Sequence, residues 1–195
     1  MVFVKEKFDM LRLVCIWLGF FFISDSSLGC SANSQTIEET SGLYDVKLSK
    51  EIQTDVNTVW KTLTDYSRLS TFVKGMTRST VLEGHGSKKV VQQTGILRLL
   101  FFSKKFTVWL SVDEKYPRFI TMTQFKGDFD HFSGRYDINQ TGNNQVRLTW
   151  RGTLKPSFYI PPIIGKRIIK KNINKQFCDV ISEIIARNDS KPKIK

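Results

Sequence analysis

Between Met76 and Leu154, hydrophobic and polar positions alternate with a period of two residues. This alternation predicts β-strands with one buried face and one exposed face. Short segments rich in glycine, asparagine or proline interrupt it, so neighbouring strands are expected to be antiparallel. The predicted strands span residues 80–84, 88–100, 105–112, 119–125, 132–138 and 145–154. Because each strand has a single apolar face, the pattern indicates a sheet covered on one side only.

The segments on either side supply one more strand and the predicted helices. Residues 44–52 alternate weakly and predict a first strand, and Thr54-Asp55 suits a helix cap before a short helix. A second short helix is predicted over 68–73, and a long one after Pro161-Pro162. The apolar stripe of the long helix consists of Ile164, Ile168, Ile173, Phe177, Val180, Ile181 and Ile184. These helices are expected to cover the apolar face of the sheet.

The first 32 residues predict a signal peptide. An uncharged run of 11 residues over 13–23 is too short for a membrane span of about 20 residues, and small residues follow it. Cleavage after Gly29 or Ala32 fits the preference of signal-peptide cleavage for small residues, so export to the periplasm or the cell exterior is expected. An uncleaved anchor is the alternative. Leu28-Gly29-Cys30 also resembles a lipoprotein motif that would tether the protein to a membrane through Cys30, although Ser27 departs from that motif.

The remaining chain divides into three parts. Residues 33–43 are polar without a period and predict a linker, residues 44–188 form the folded domain, and residues 189–195 form a charged tail. Without lipidation of Cys30, Cys178 is expected to be the only cysteine in a folded region. A single cysteine among apolar neighbours is usually a small core residue.

The charge balance limits the classes of partner. The chain has 30 basic and 18 acidic residues, a net charge of +12, which allows an anionic membrane, a nucleic acid or an acidic partner. Four basic residues, Lys166, Arg167, Lys170 and Lys171, lie early in the long helix, next to the apolar segment 158–164. This combination predicts either a solvated helix face or transient contact with anionic lipid. A nucleic-acid surface is disfavoured, because Trp109 is the one aromatic residue assigned to a polar strand face.

Candidates for catalysis are few. The two histidines, His85 and His131, fall in a turn and on a polar strand face, far in sequence from Cys178. Asp128 or Tyr136 could serve as an acid or base in a cyclase-type enzyme. The spacing of histidine, cysteine and carboxylate residues predicts no metal site, and no cofactor motif is found.

Several local motifs resemble one protein family. They are the stretch VWKTLTDYSRL at 59–69, QTG at 93–95 with LRLLFF at 97–102, GDF at 127–129, FSG at 132–134 and FYIPP at 158–162. In this order they resemble the polyketide cyclase/dehydrase and coenzyme-Q-binding START-like family of the SRPBCC superfamily. The resemblance covers about residues 44–187.

The resemblance implies an α+β helix-grip fold of the START/Bet v 1-like kind, in which a curved antiparallel sheet wraps a long C-terminal helix. It also implies a cavity for a lipid, quinone, polyketide or similar molecule, with carriers as well as enzymes among the members. The wall of this cavity is expected to consist of Val108, Leu110, Met122, Phe129, Phe132, Tyr136, Leu148 and Trp150, with Ile164, Ile168 and Phe177 from the helix. Gln93 or Arg98 is the expected polar anchor. The preferred hypothesis is a carrier of a hydrophobic small molecule without catalysis.

Overall fold

A computed structural model of the chain describes residues 30, 32–98 and 103–192. Eight antiparallel strands form one sheet in the order β1-β2-β8-β7-β6-β5-β4-β3. The strands are β1 (Ser34–Thr40), β2 (Leu43–Gln53), β3 (Met76–His85), β4 (Lys88–Arg98), β5 (Ser103–Lys115), β6 (Phe119–Gly127), β7 (Phe129–Gly142) and β8 (Gln145–Pro156). All six strands expected between Met76 and Leu154 are therefore present.

Two short helices and one long helix cover the sheet. They are α1 (Val56–Leu63), α2 (Leu69–Phe72) and α3 (Pro162–Asp189), with a 3-10 turn (Tyr66–Arg68) before α2. Asp55 caps α1 as the sequence predicts, because its carboxylate accepts a hydrogen bond of 2.9 Å from the Thr58 backbone N–H. The helix-grip fold expected from the resemblance is confirmed.

The core lies between α3 and the inner face of the sheet. Helix α3 buries Ile169, Phe177 and Ile184 almost completely, and the sheet contributes Leu48 and Leu148 to the same cluster. These side chains project inward because alternate residues of each strand face the helix. Burial of this apolar surface is the main stabilising contribution to the fold.

The linker predicted for residues 33–43 is wrong over most of its length. Residues 34–40 form β1, an edge strand whose backbone pairs with β2, with Ile37 opposite Val46. Ile37 is its single buried side chain. Backbone pairing with β2 and the burial of this one side chain hold β1 in place, and a single buried residue gives no alternation for the hydrophobic pattern to indicate.

Cys178 is not an unpaired core residue. It forms a disulfide with Cys30 across 148 residues of sequence, with the two Cα atoms 5.6 Å apart. The pairing depends on where the fold brings the N-terminal segment against α3, which sequence spacing does not reveal. A sulfur atom in a disulfide cannot also carry a thioether-linked lipid, so the two fates of Cys30 are mutually exclusive.

Several predicted segments lie outside the described ranges. These are the apolar run at 13–23 with most of the predicted signal peptide, the LLFF segment at 99–102 and the last residues of the predicted tail. No helix in the described part of the chain is both long and apolar enough to cross a membrane.

Candidate functional site

An apolar cavity of about 160 Å³ lies between the sheet and the helices. Inward-facing side chains of β4 to β8 form its wall, the segment from α1 to β3 lies along one side, and α3 crosses it. The alternation along each strand explains the wall, because Val108, Leu110 and Val112 all face inward from β5. The cavity exists because the curved sheet and α3 leave a gap that these side chains do not fill.

Most of the predicted wall residues line this cavity. Those that do are Val108, Leu110, Met122, Phe129, Phe132, Tyr136, Trp150 and Phe177. Leu148, Ile164 and Ile168 do not. Leu148 is fully buried in the solid core, and the rotation of α3 places Ile169 at the cavity in place of Ile168. Of the two predicted polar anchors, Gln93 lines the cavity and Arg98 does not.

Sequence reasoning missed one side of the wall. Leu63, Tyr66, Leu69, Val73 and Met76 line the cavity from the segment that runs from α1 to β3. Their apolar spacing predicted short helices that cover the sheet. It gave no indication that the inner side of these helices borders a space and not packed side chains.

A cluster of aromatic rings forms part of the cavity wall, through Phe106, Phe129 and Phe132. Phe129 is at its centre, with ring centroids 5.3 Å from Phe106, 5.9 Å from Phe132 and 6.3 Å from Phe158. Phe158 belongs to the connection between β8 and α3, so this connection packs partly against the core. Aromatic contacts of this kind add about 1 kcal/mol per pair beyond area burial.

Two glycines leave room for the indole ring of Trp150. Gly134 and Gly152 are opposite each other on β7 and β8, and a β-carbon on Gly152 would overlap Trp150 Cη2. A β-carbon on Gly134 would lie 3.5 Å from Trp150 Nε1. The indole therefore lies close to the backbone of both strands and forms part of the cavity wall.

The polar groups that line the cavity are uncharged. Among the described residues they are Gln93, Thr94, Asn172 and Gln176, together with the tyrosines. Burial raises the pKa of Tyr136 far above its ordinary value of 10.0. Its hydroxyl has no hydrogen-bond partner within residues 32–98 and 103–192, so it is a neutral group available to a ligand.

Tyr66 has a different role. Its ring lines the cavity, but its hydroxyl donates a hydrogen bond of 2.9 Å to Glu114 on β5, and the Lys89 ammonium lies 3.5 Å from the same carboxylate. Burial raises the pKa of Tyr66, and the negative charge of Glu114 raises it further. The hydroxyl is thus engaged, and it anchors the segment between α1 and β3 to the sheet.

The other candidates for acid–base chemistry lie outside the cavity. Asp128 is exposed, and its carboxylate accepts a hydrogen bond of 2.7 Å from the Thr107 backbone N–H. The prediction that Asp128 acts inside a cyclase-type site is therefore not supported by its position. Both His85 and His131 are exposed, and His131 contacts the Ser133 hydroxyl at 3.3 Å.

The family relationship is shown by the sequence. The sequence model described as "Polyketide cyclase / dehydrase and lipid transport" matches residues 52–180, which contain most of the cavity wall. The chain belongs to this family. No curated protein matches this chain in sequence.

Solved structures share the fold of this domain at low sequence identity. The Zhui aromatase/cyclase from Streptomyces sp. R1128 has a TM-score of 0.64 and 12% identity, over 75% of this chain and 94% of that chain. A START superfamily protein from Mycobacterium smegmatis has a TM-score of 0.64 and 11% identity, over 73% and 98%. A STAR-related lipid transfer protein from Xanthomonas axonopodis has a TM-score of 0.58 and 9% identity, over 77% and 98%. These structures support the fold and do not identify a ligand.

Proposed function

We propose that the protein binds a hydrophobic small molecule in this cavity and carries it without chemical change. The observation that carries the proposal is the cavity itself, whose wall is apolar and, among the described residues, holds no charged side chain. Cavities lined mainly by apolar side chains bind apolar guests, as an engineered cavity of about 150 Å³ does for benzene. A single ring or a short branched chain of a lipid, quinone or related compound matches the volume.

The expected affinity suits a carrier that also releases its cargo. A guest that buries on the order of 200 Å² of apolar surface gains ~5 kcal/mol at ~25 cal/mol per Å². The cost of immobilising the guest reduces that gain. Because a dissociation constant of 1 mM corresponds to about −4.1 kcal/mol, binding in the region of 1 mM is therefore expected.

The chemistry of Tyr136 favours binding over catalysis. With its raised pKa the hydroxyl remains protonated at neutral pH, so it can donate a hydrogen bond but is a poor acid or base. The alternative, a cyclase-type enzyme, draws on the family description and on this hydroxyl. It predicts that Tyr136→Phe abolishes turnover of a polyketide-like substrate while binding persists. The carrier proposal predicts a change in affinity alone.

The test is the binding of small aromatic and short-chain probes to the purified protein, monitored by NMR. Met122→Trp should fill the cavity and abolish binding, because Met122 is a half-buried lining residue and the larger indole would occupy the space beside it. Leu82→Trp is the matched control, since Leu82 is 48% exposed on β3 and does not line the cavity. If Met122→Trp folds and binds the probes as the unmodified protein does, the cavity is not the binding site.

We also propose that the protein docks on anionic membranes through the start of α3. Ile163 is 97% exposed and Tyr159 is 77% exposed, and the side chains of Lys166, Arg167, Lys170 and Lys171 are exposed on the following turns. Each basic residue near an anionic surface contributes ~1 kcal/mol, and the two apolar side chains can enter the interface.

Vesicle sedimentation tests the membrane proposal. Binding to vesicles that contain phosphatidylglycerol should exceed binding to phosphatidylcholine vesicles and should fall with added salt. Ile163→Ser should weaken it, whereas Ile185→Ser, on the same helix and 44% exposed, should not. Equal binding to both vesicle types, or preferential binding to DNA, would contradict membrane docking.

We infer further that the protein functions in an oxidising compartment after export. The Cys30–Cys178 disulfide supports this, because such bonds persist mainly outside the cytosol. The disulfide requires Cys30 in the mature chain, which favours cleavage after Gly29 over cleavage after Ala32. The mass of the exported protein tests both points. A chain that begins at Cys30 and lacks two thiol hydrogens is expected, and a lipid-modified Cys30 or a chain that begins at Asn33 would contradict the inference.

A further inference from the structure

A second space, separate from the cavity, lies next to it. It is a groove of about 380 Å³ bounded by the connection from α2 to β3, the end of β4 and the middle of α3. The groove and the cavity share five lining residues, Val73, Gly75, Met76, Asn172 and Gln176. The two spaces are therefore neighbours with a common wall, and a ligand that occupied both would have its apolar part in the cavity.

The groove differs from the cavity in charge. Lys74, Arg98 and Lys175 line it, whereas no charged side chain within the described ranges lines the cavity. Ser70 and Thr71 add hydroxyl groups to the same rim. The apolar and the cationic surfaces thus lie side by side, an arrangement that matches an amphiphile.

Two of the three cations are available to a ligand. Lys175 lies 3.3 Å from the Asp179 carboxylate, which also accepts a hydrogen bond of 2.8 Å from the Lys74 backbone N–H. The side chains of Lys74 and Arg98 are exposed, and neither has an acidic partner in the described part of the chain. Asp179 therefore offsets one of three positive charges, and the rim retains a net positive charge.

We propose that the ligand has an anionic head group, a carboxylate or a similar oxyanion, which binds in this groove beside Arg98 and Lys74. This proposal rests on the proposed carrier function. A guanidinium group can bind both oxygens of a carboxylate at once, and a lysine ammonium adds a point charge. The Asn172 amide, which donates to the Arg98 carbonyl oxygen at 3.2 Å, holds α3 against the end of β4 and fixes this edge of the groove.

The test compares three probes with the same tail and different head groups. They are 4-phenylbutyrate, 4-phenylbutanol and 4-phenylbutylamine, each titrated into the full mature protein by calorimetry or NMR. The carboxylate should bind about tenfold more tightly than the alcohol, a difference of ~1.4 kcal/mol, and the amine should bind most weakly. Added salt should reduce the advantage of the carboxylate.

Variants locate the head-group site. Arg98→Gln and Lys74→Gln should each reduce the preference for the carboxylate and leave binding of the alcohol unchanged. Lys47→Gln is the matched control, because Lys47 is an exposed cation on β2 that lines neither the cavity nor the groove. Circular dichroism of each variant verifies folding.

The outcomes separate this proposal from the carrier function on which it rests. Equal affinity for the carboxylate and the alcohol, or a preference that survives both groove substitutions, overturns the anionic head group but leaves the cavity as a binding site. If none of the three probes binds, or if Met122→Trp leaves their binding intact, the carrier function in this cavity fails instead.

Discussion

The ring of Phe106 occupies the space above Gly95. The two residues are paired across β4 and β5, and a β-carbon on Gly95 would lie 2.6 Å from Phe106 Cζ. Phe106 also meets Phe129 edge to face, so its position is fixed on two sides. The absence of a side chain at Gly95 therefore determines where one wall of the cavity lies.

A methyl group at this position should alter the cavity. Gly95→Ala is expected to push the Phe106 ring away and reduce the affinity for a small aromatic probe about tenfold, or ~1.4 kcal/mol. Overpacking of this kind should lower the free energy of unfolding by about 1–3 kcal/mol. Gly84→Ala is the control, because its nearest neighbour would be Lys89 Cγ at 3.9 Å. Unchanged probe affinity in folded Gly95→Ala would contradict this account of the wall.

A substitution at Leu148 separates the effect of losing core packing from the effect of changing the cavity wall. Leu148 is fully buried but does not line the cavity. Leu148→Ala should lower the free energy of unfolding by about 2–5 kcal/mol, measured by urea denaturation, with no change in the preference among probes. Met122→Ala should cost less stability and favour larger probes, because the deleted atoms border existing space. A shift in probe preference for Leu148→Ala would extend the binding site to that residue.

The disulfide should contribute measurably to stability. It closes a loop over 148 residues of sequence, and loops of this order gain about 3 kcal/mol or more from a cross-link. Cys178→Ser, or addition of a reducing agent, should lower the thermal midpoint by roughly 5–10 °C. The Cys30→Ser/Cys178→Ser double variant should have the same thermal midpoint as the single variant. A midpoint that does not respond to reduction would show that the bond is absent in the folded protein.

The ionisation of Asp55 makes the stability of the folded protein depend on pH in the acidic range. Partial burial by itself would raise the pKa of Asp55, but hydrogen bonds from Lys191 and Thr58 outweigh it and lower the pKa from 3.8 to about 2. Because the folded-state pKa is depressed, this stabilisation is present above pH 3.8 and is lost as the pH falls through about 2.

Two substitutions at Asp55 separate charge from capping. Asp55→Asn keeps an oxygen that can cap α1 and should flatten the acid dependence of the thermal midpoint. Asp55→Ala should in addition lose about 1 kcal/mol at neutral pH. Identical acid profiles for Asp55→Asn and the unmodified protein would contradict the assigned pKa.

Much of the architecture could be predicted from local pattern. Strand parity placed Val108, Leu110, Phe132 and Tyr136 on the inner face, and each lines the cavity. This succeeded because the period of a strand is two residues, so a single apolar residue fixes the face of its neighbours. The prediction was weaker for α3, where a rotation of one residue exchanges Ile168 for Ile169.

The sequence by itself determined strands β2 to β8, the capped helix and the amphipathic α3, since each depends on residues close together in the chain. It also determined the family, through the order of several short motifs. The tertiary structure alone decided that Cys30 bonds Cys178, that residues 34–40 pair as a strand, and that Leu148 packs in the core while Leu69 borders the cavity. These features depend on distances between segments far apart in sequence. Periodicity reports which face of an element is buried, but not whether another side chain or an open space lies opposite it.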